Sequence, residues 1–162
     1  HGEGRSFIAA NLAVVFSQLG ERTLLIDADM RNPRQHTLFG LECRAGLSSC
    51  LSGRAGIDCA LPVQELRNLS VMTAGPMPPN PQELLARSTF TRLLLEAGEV
   101  YEAIVIDTPP VTGFADAQIV AARAGATVLV TRSHRTEARQ AQQAAAALRD
   151  VGARLCGAVV NG

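Results

Sequence analysis

The sequence predicts an α/β fold, a doubly wound, mostly parallel sheet flanked by helices. Three observations lead there. Short β-rich runs alternate along the chain with helical patterns, the order that builds βαβ units. Those runs are near-continuously apolar rather than alternating, as strands covered on both faces are. The chain has 162 residues, 47% of them apolar, enough for one domain with a buried core and too apolar for disorder. Residues 1–162 are therefore expected to form one domain.

Each element has its own warrant. His1-Gly2-Glu3-Gly4-Arg5-Ser6 leads straight into an apolar helix over 6–19, with no strand ahead of it. Thr-Leu-Leu-Ile-Asp at 23–27 is a strand, and a second covers 69–73. Gly75-Pro76-Met77-Pro78-Pro79-Asn80-Pro81 is an ordered or extended connector, because proline fixes φ and removes a donor. Helices follow over 82–86 and 89–97, the latter sending Phe90, Leu93, Leu94 and Leu95 to the core. A strand at 103–107, a helix at 115–124, a strand at 127–131, an alanine-rich helix at 136–151 and a strand at 155–160 complete the pattern. Both ends read as cuts within a larger domain.

Composition narrows the function. Fifteen basic and fifteen acidic side chains cancel, so bulk attraction to nucleic acid or an anionic membrane has no basis. All fifteen basic residues are arginine. No apolar run approaches the roughly 18 residues of a membrane span, and no signal peptide is visible. The four cysteines, Cys43, Cys50, Cys59 and Cys156, form no C-x-x-C pair and have only three histidines as companions, which argues against zinc. They read as reduced thiols, with Cys156 a small buried core residue.

Three motifs carry chemistry. Gly2-x-Gly4-Arg5-Ser6 before a helix is the back half of a phosphate-binding loop, in which glycines let the backbone wrap phosphate and the helix start offers free N–H groups. A plain glycine turn with Ser6 as helix cap is the alternative. Asp27 and Asp29 close a buried strand, at the sheet edge where open α/β folds bind ligands. They share one side if the strand runs that far, and a cation would relieve their repulsion. Asp107 ends the apolar strand 103–107 in the manner of a Walker B acid, which reaches Mg²⁺. The conjunction of the three is far more specific than any one.

Together with Gly75-Pro-Met-Pro-Pro-Asn-Pro-Gln-Glu-Leu84, these residues resemble the cytoplasmic kinase domain of bacterial tyrosine kinases, MinD/ParA-like P-loop ATPases tied to exopolysaccharide chain-length control. Gly46-Leu47-Ser48, Leu51-Ser52-Gly53, Asp116-Ala117 and Asn161 agree as well, and the EpsG-like proteins are the nearest subgroup. The resemblance implies ATP and ADP as ligands and Mg²⁺ as cofactor. It makes Gly2, Glu3, Gly4, Arg5, Ser6 and Phe7 the phosphate loop and Asn161 a contact for the adenine edge. Ser6, Asp29 and Asp107 become metal ligands. Arg5, Asp27, Asp29 and Asp107 become catalytic, with Asp27 orienting or deprotonating the attacking hydroxyl. Arg31 falls near a subunit boundary. It also implies a homo-oligomer, a tyrosine substrate on another copy or another protein, a Wzz-like membrane chain-length regulator as activator, and a cytoplasmic place at the inner face of the membrane. Nucleic acid is not an expected partner.

Two departures bear on mechanism. Arg5 stands where the loop lysine belongs, wider and planar where lysine is a compact charge, so binding should survive better than transfer. The tyrosine-rich tail and the upstream oligomerising motif are absent from this chain, whose one tyrosine, Tyr101, is expected to pack at a strand edge. A MinD/ParA-type ATPase switch, or a nucleotide-binding regulator with weak catalysis, are the alternatives. His36 is expected in a surface or subunit-facing loop, His134 in a solvated loop, and Arg132, Arg135 and Arg139 on a solvated face.

Overall fold

The computed structural model describes residues 4–133 and 136–162. They divide into two units. One is Ser6–Pro109; the other is Pro110–Gly162 with Gly4 and Arg5.

Within the larger unit, α1 (Arg5–Gln18) is followed by β1 (Thr23–Asp27), α2 (Gln35–Leu38), α3 (Leu47–Leu51), one 3₁₀ turn (Ile57–Cys59), β2 (Leu61–Pro62), β3 (Leu69–Met72), α4 (Pro81–Ala86), α5 (Ser88–Val100) and β4 (Ala103–Asp107). The sheet order is β2-β3-β1-β4. β1 lies parallel to both neighbours, with Thr23 opposite Leu69 and Ala103, and Asp27 opposite Asp107. All five of its residues are buried, which is why it reads as an unbroken apolar run. Ala10 and Ala13 of α1 pack with Leu25, Val63, Leu69 and Val71; the alanines let the helix approach the sheet closely.

α2, α3, the 3₁₀ turn and β2 were not foreseen, since none is long enough to show a period. β2 runs antiparallel on the sheet edge, where Pro62 costs no ladder bond it would otherwise make. β3 stops at Met72 rather than 73, because the carbonyls of Thr73 and Ala74 turn to accept the Leu47 and Ser48 N–H groups of α3 at 2.8 and 3.0 Å. Gly46 makes this approach possible: a Cβ there would run into the Thr73 carbonyl oxygen and lie 2.6 Å from the Gly75 nitrogen. The proline connector closes on the same feature, with Ser48 Oγ donating to the Pro76 carbonyl at 2.7 Å. On α5, Phe90, Leu93 and Ala97 are buried. Leu95, expected in the core, is 69% exposed, because it falls off the i, i+3, i+7 face those three define.

In the smaller unit, α6 (Asp116–Ala121), β5 (Thr127–Arg132), α7 (Ala138–Asp150) and β6 (Leu155–Asn161) form a β-α-β piece whose strands are parallel. Ala121, Leu148 and Ala153 form its core with Val111, Leu129 and Leu155 around them. Here the expectation of strands covered on both faces fails: Cys156 to Val160 of β6 are exposed. Cys156 is therefore no core residue. It is the extra residue of a β-bulge, since Thr127 pairs with Leu155 and Val128 already with Gly157, and a bulged residue is left outside the ladder.

Candidate active site

The site begins where β1 and β4 end together. Their register sets Asp27 beside Asp107, and the Asp107 carbonyl accepts the Ala28 N–H at 2.8 Å, so both chains leave the sheet as a joined pair. Both carboxylates are buried, and so is Asp29. β1 ends at Asp27, so Asp29 does not follow on one strand face as expected. It lies in the loop beyond, where its Oδ1 accepts the Asn32 N–H at 3.0 Å.

Asp27 organises that loop. Its Oδ2 accepts the N–H groups of Arg34 and Gln35, both at 2.9 Å, and its Oδ1 accepts that of Asp29 at 3.2 Å. A carboxylate offers about four acceptor sites, so one remains. Burial pushes the carboxyl up to about 7 and the neighbouring Asp107 charge pushes the same way, against the three backbone donors. Asp27 thus sits near the working range of a proton acceptor at neutral pH.

Gln35 holds the pieces together. Fully buried at the start of α2, it donates from Nε2 to Asp107 Oδ2 at 2.8 Å and to the Ser6 carbonyl at 3.0 Å. Its side chain thereby links the first turn of α1 to Asp107, while its backbone N–H reaches Asp27. Its Oε1 is buried without a partner among the described residues. Sequence reasoning missed Gln35, because Arg31-Asn-Pro-Arg-Gln35 is polar throughout and no spacing marks one of them as buried. His36, expected in a loop, lies in α2, with its Nε2 3.2 Å from Thr37 Oγ1.

The glycine-led loop is described from Gly4. Gly2, Glu3, His134 and Arg135 lie outside the described residues. Gly4 has φ +82°, a conformation that favours glycine, and a Cβ on it would meet the end of the Asn161 side chain. Asn161 ends β6 opposite Arg132, and its carbonyl accepts the Ser133 N–H at 2.7 Å. Gly4 and Asn161, far apart in sequence, are therefore neighbours. α1 starts at Arg5, so Ser6 is inside the helix and is not its cap. Phe7 is 62% exposed, and only its backbone suits a phosphate loop.

The donor set can be tested against magnesium. Among the described residues no three His, Cys, Asp or Glu side chains make a metal cage, so the protein alone does not enclose an ion. Mg²⁺ in nucleotide sites needs only one or two carboxylates, the rest being water and phosphate. The mutual repulsion of Asp27 and Asp107 and the unpartnered Gln35 Oε1 are features a divalent cation and its water would relieve. The residues fit.

A helix start behind a glycine-bearing turn, with acids at the ends of adjacent parallel strands, defines a phosphate-binding α/β protein. Comparison with known proteins agrees. The ParA family model, that of the NUBPL iron-transfer P-loop NTPases, matches residues 1–162. Tyrosine-protein kinase YwqD of Bacillus subtilis is 46% identical over 161 residues, 99% of this chain and 68% of that protein. The putative tyrosine-protein kinase CapB of Staphylococcus aureus is 39% identical over 98% of this chain and 69% of its own. Among solved structures, the kinase domain of Escherichia coli tyrosine kinase ETK superposes with a TM-score of 0.94 at 33% identity, covering 99% of this chain and 63% of that one. The MinD protein of Pyrococcus horikoshii, at 20% identity and a TM-score of 0.81 over 99% of this chain and 65% of its own, shares the fold. The chain therefore belongs to the ParA family of P-loop NTPases, in the branch that holds the bacterial tyrosine-protein kinases.

Proposed function

We propose that residues 1–162 form the kinase domain of a protein-tyrosine kinase that uses ATP and Mg²⁺ and acts in the control of exopolysaccharide chain length and export. The observation that carries the reading is the pair of buried strand-end acids, Asp27 and Asp107, tied by Gln35 to the first turn of α1. It joins the family relation to tyrosine kinases with chemistry this chain's own side chains can do.

In this reading the backbone of Gly2, Glu3, Gly4, Arg5, Ser6 and Phe7 cradles the nucleotide phosphates, and Arg5 adds a two-pronged grip. Asn161 contacts the adenine edge. Ser6, Asp29 and Asp107 hold Mg²⁺, which when bound neutralises phosphate charge. Asp27 accepts the proton of the substrate tyrosine as its phenolic oxygen forms the new bond to the γ-phosphorus; the bond to the bridging oxygen breaks and ADP leaves. Gln35 keeps the two acids at their distance. The hydroxyl comes from a neighbouring copy of the full protein or from another protein rather than from Tyr101, whose place between the end of α5 and β4 suits packing. A membrane chain-length regulator as activator, assembly into a homo-oligomer and a place at the inner face of the bacterial membrane complete the proposal. No helix among the described residues is long and apolar enough to cross a membrane, so that placement would rest on a partner or on other sequence.

A second reading is favoured by one residue: with Arg5 in place of lysine the chain would bind nucleotide and regulate, with little transfer. One assay separates the cases. The protein is incubated with Mg²⁺, ATP and a tyrosine-bearing acceptor, and phosphotyrosine and free phosphate are measured side by side. Phosphotyrosine, lost in Asp107→Ala, is the expected result. Free phosphate alone would make the chain an ATPase switch of the MinD kind. Nucleotide binding without either product would favour the regulator.

A further inference from the structure

Two cysteines that the site does not use face each other. Cys50 is on the last turn of α3; the chain then reverses through Gly53, at φ +74°, and the 3₁₀ turn returns Cys59 to it. Their sulfurs are 3.2 Å apart, and the Cys50 thiol also donates to the Gly56 carbonyl at 3.2 Å. Both side chains are half-buried. The other two thiols are placed differently: Cys43 Sγ lies 3.8 Å from the Gly75 carbonyl, and Cys156 is exposed on its bulge.

We propose that Cys50 and Cys59 are a reversible redox pair, oxidised by hydrogen peroxide to an intramolecular disulfide. The Cys59 thiolate attacks one peroxide oxygen; the O–O bond breaks, and with one proton taken up the products are Cys59 sulfenic acid and water. The Cys50 sulfur then attacks the Cys59 sulfur. The S–O bond breaks, the Cys50 proton goes to the departing hydroxide, and a second water leaves. Two thiols and one peroxide become one disulfide and two waters. The assignment of roles follows from the contact. The contact between the sulfurs raises the Cys50 thiol and lowers Cys59, in line with the Gly56 carbonyl holding the Cys50 proton at 3.2 Å; burial and Asp58 work against ionisation of both.

The bond would staple the end of α3 to the 3₁₀ turn and close the loop between them. Ser52 and Arg54 of that loop line a cleft of about 320 Å³ whose other wall includes Pro76, Met77, Asn80 and Arg87. Oxidation thus fixes one wall of the cleft against the proline connector.

The test is peroxide treatment of the whole protein, followed by blocking of remaining thiols and peptide mass mapping, with and without dithiothreitol. The expected product has lost about two hydrogen atoms, contains a Cys50–Cys59 cross-linked peptide and reverts on reduction. It forms at least about tenfold faster than Cys156 is modified. The double variant Cys43→Ser, Cys156→Ser keeps the reaction, and Cys59→Ser abolishes it. Should Cys59→Ser fail to fold, the double variant alone decides. Recovery of Cys50 and Cys59 as separately blocked thiols, of sulfinic acid on Cys59 without the cross-link, or of Cys156 oxidised first would overturn the proposal.

Discussion

Asp27→Asn isolates the electrostatic cost stored in the site. In the folded protein the Asp27 carboxyl titrates at about 7, against 3.8 for the ordinary group, because burial and then the charge of Asp107 disfavour its ionised form. As the pH rises from about 4, the unfolded chain gives up this proton while the folded chain keeps it. Stability therefore falls through the window between these values and levels off above about 7. A shift of about three units is worth roughly 4 kcal/mol in all. Of this, roughly 2–3 kcal/mol is lost between about pH 5 and about pH 8. The asparagine amide carries no charge to desolvate, so the variant escapes that loss. It can still accept from Arg34 and Gln35, but its amide nitrogen cannot accept the Asp29 N–H, a deficit of about 1–3 kcal/mol at either pH. The balance between variant and wild type should thus move by roughly 2–3 kcal/mol in the variant's favour from about pH 5 to about pH 8. Urea unfolding at the two pH values, without nucleotide or metal, measures it. A difference between the two proteins that is the same at both pH values would refute the reasoning. Phosphotyrosine formation should be lost in the same variant, so that stability and activity move in opposite directions at pH 8, a pattern typical of strained functional sites.

Gln35→Leu removes both donors from the link between Ser6 and Asp107 and leaves a buried carboxylate oxygen without one partner. It should cost about 2–4 kcal/mol in urea unfolding and weaken Mg²⁺-dependent ADP binding in calorimetry. Gly46→Ala puts a methyl group into the Thr73 carbonyl and the Gly75 nitrogen, both backbone atoms that cannot rotate away. A loss of more than about 2 kcal/mol is expected, against the roughly 0.5 kcal/mol typical of an open surface site. Arg5→Ala should weaken ADP binding roughly tenfold to a hundredfold, the worth of a charge-assisted phosphate contact, while Arg5→Lys keeps binding and raises phosphotransfer if arginine is what slows it. Calorimetry and the phosphotyrosine assay read the two effects separately.

The strands 23–27 and 103–107 were legible to the residue, because each is an unbroken apolar run closed by an aspartate, fully buried in the first and partly buried in the second. The long helices were legible to within a few residues for the same kind of reason. Helices as short as α2 and α3 were not, since a single turn has no period; they exist because Asp27 supplies acceptors at one and the carbonyls of Thr73 and Ala74 at the other. Cys156 and Leu95 looked like core and are exposed. Cys156 lies in β6, whose residues 156–160 are exposed on both faces, and Leu95 falls off the buried face of α5; composition records neither.

The residue types and spacings around Gly4, Ser6, Asp27, Asp29 and Asp107 determined the kind of ligand to expect, because phosphate and a hard cation each admit few partners. Only the tertiary structure decided which groups meet. Burial, and after it the parallel register that set Asp107 alongside, raised the affinity of Asp27 for a proton. Close approach brought Asn161 against Gly4. Burial turned Gln35, an unremarkable residue in a polar run, into the link between helix and strands. Chemical identity is carried by each residue alone, whereas burial and pairing depend on groups distant in sequence, and those exist as neighbours only once the chain has folded.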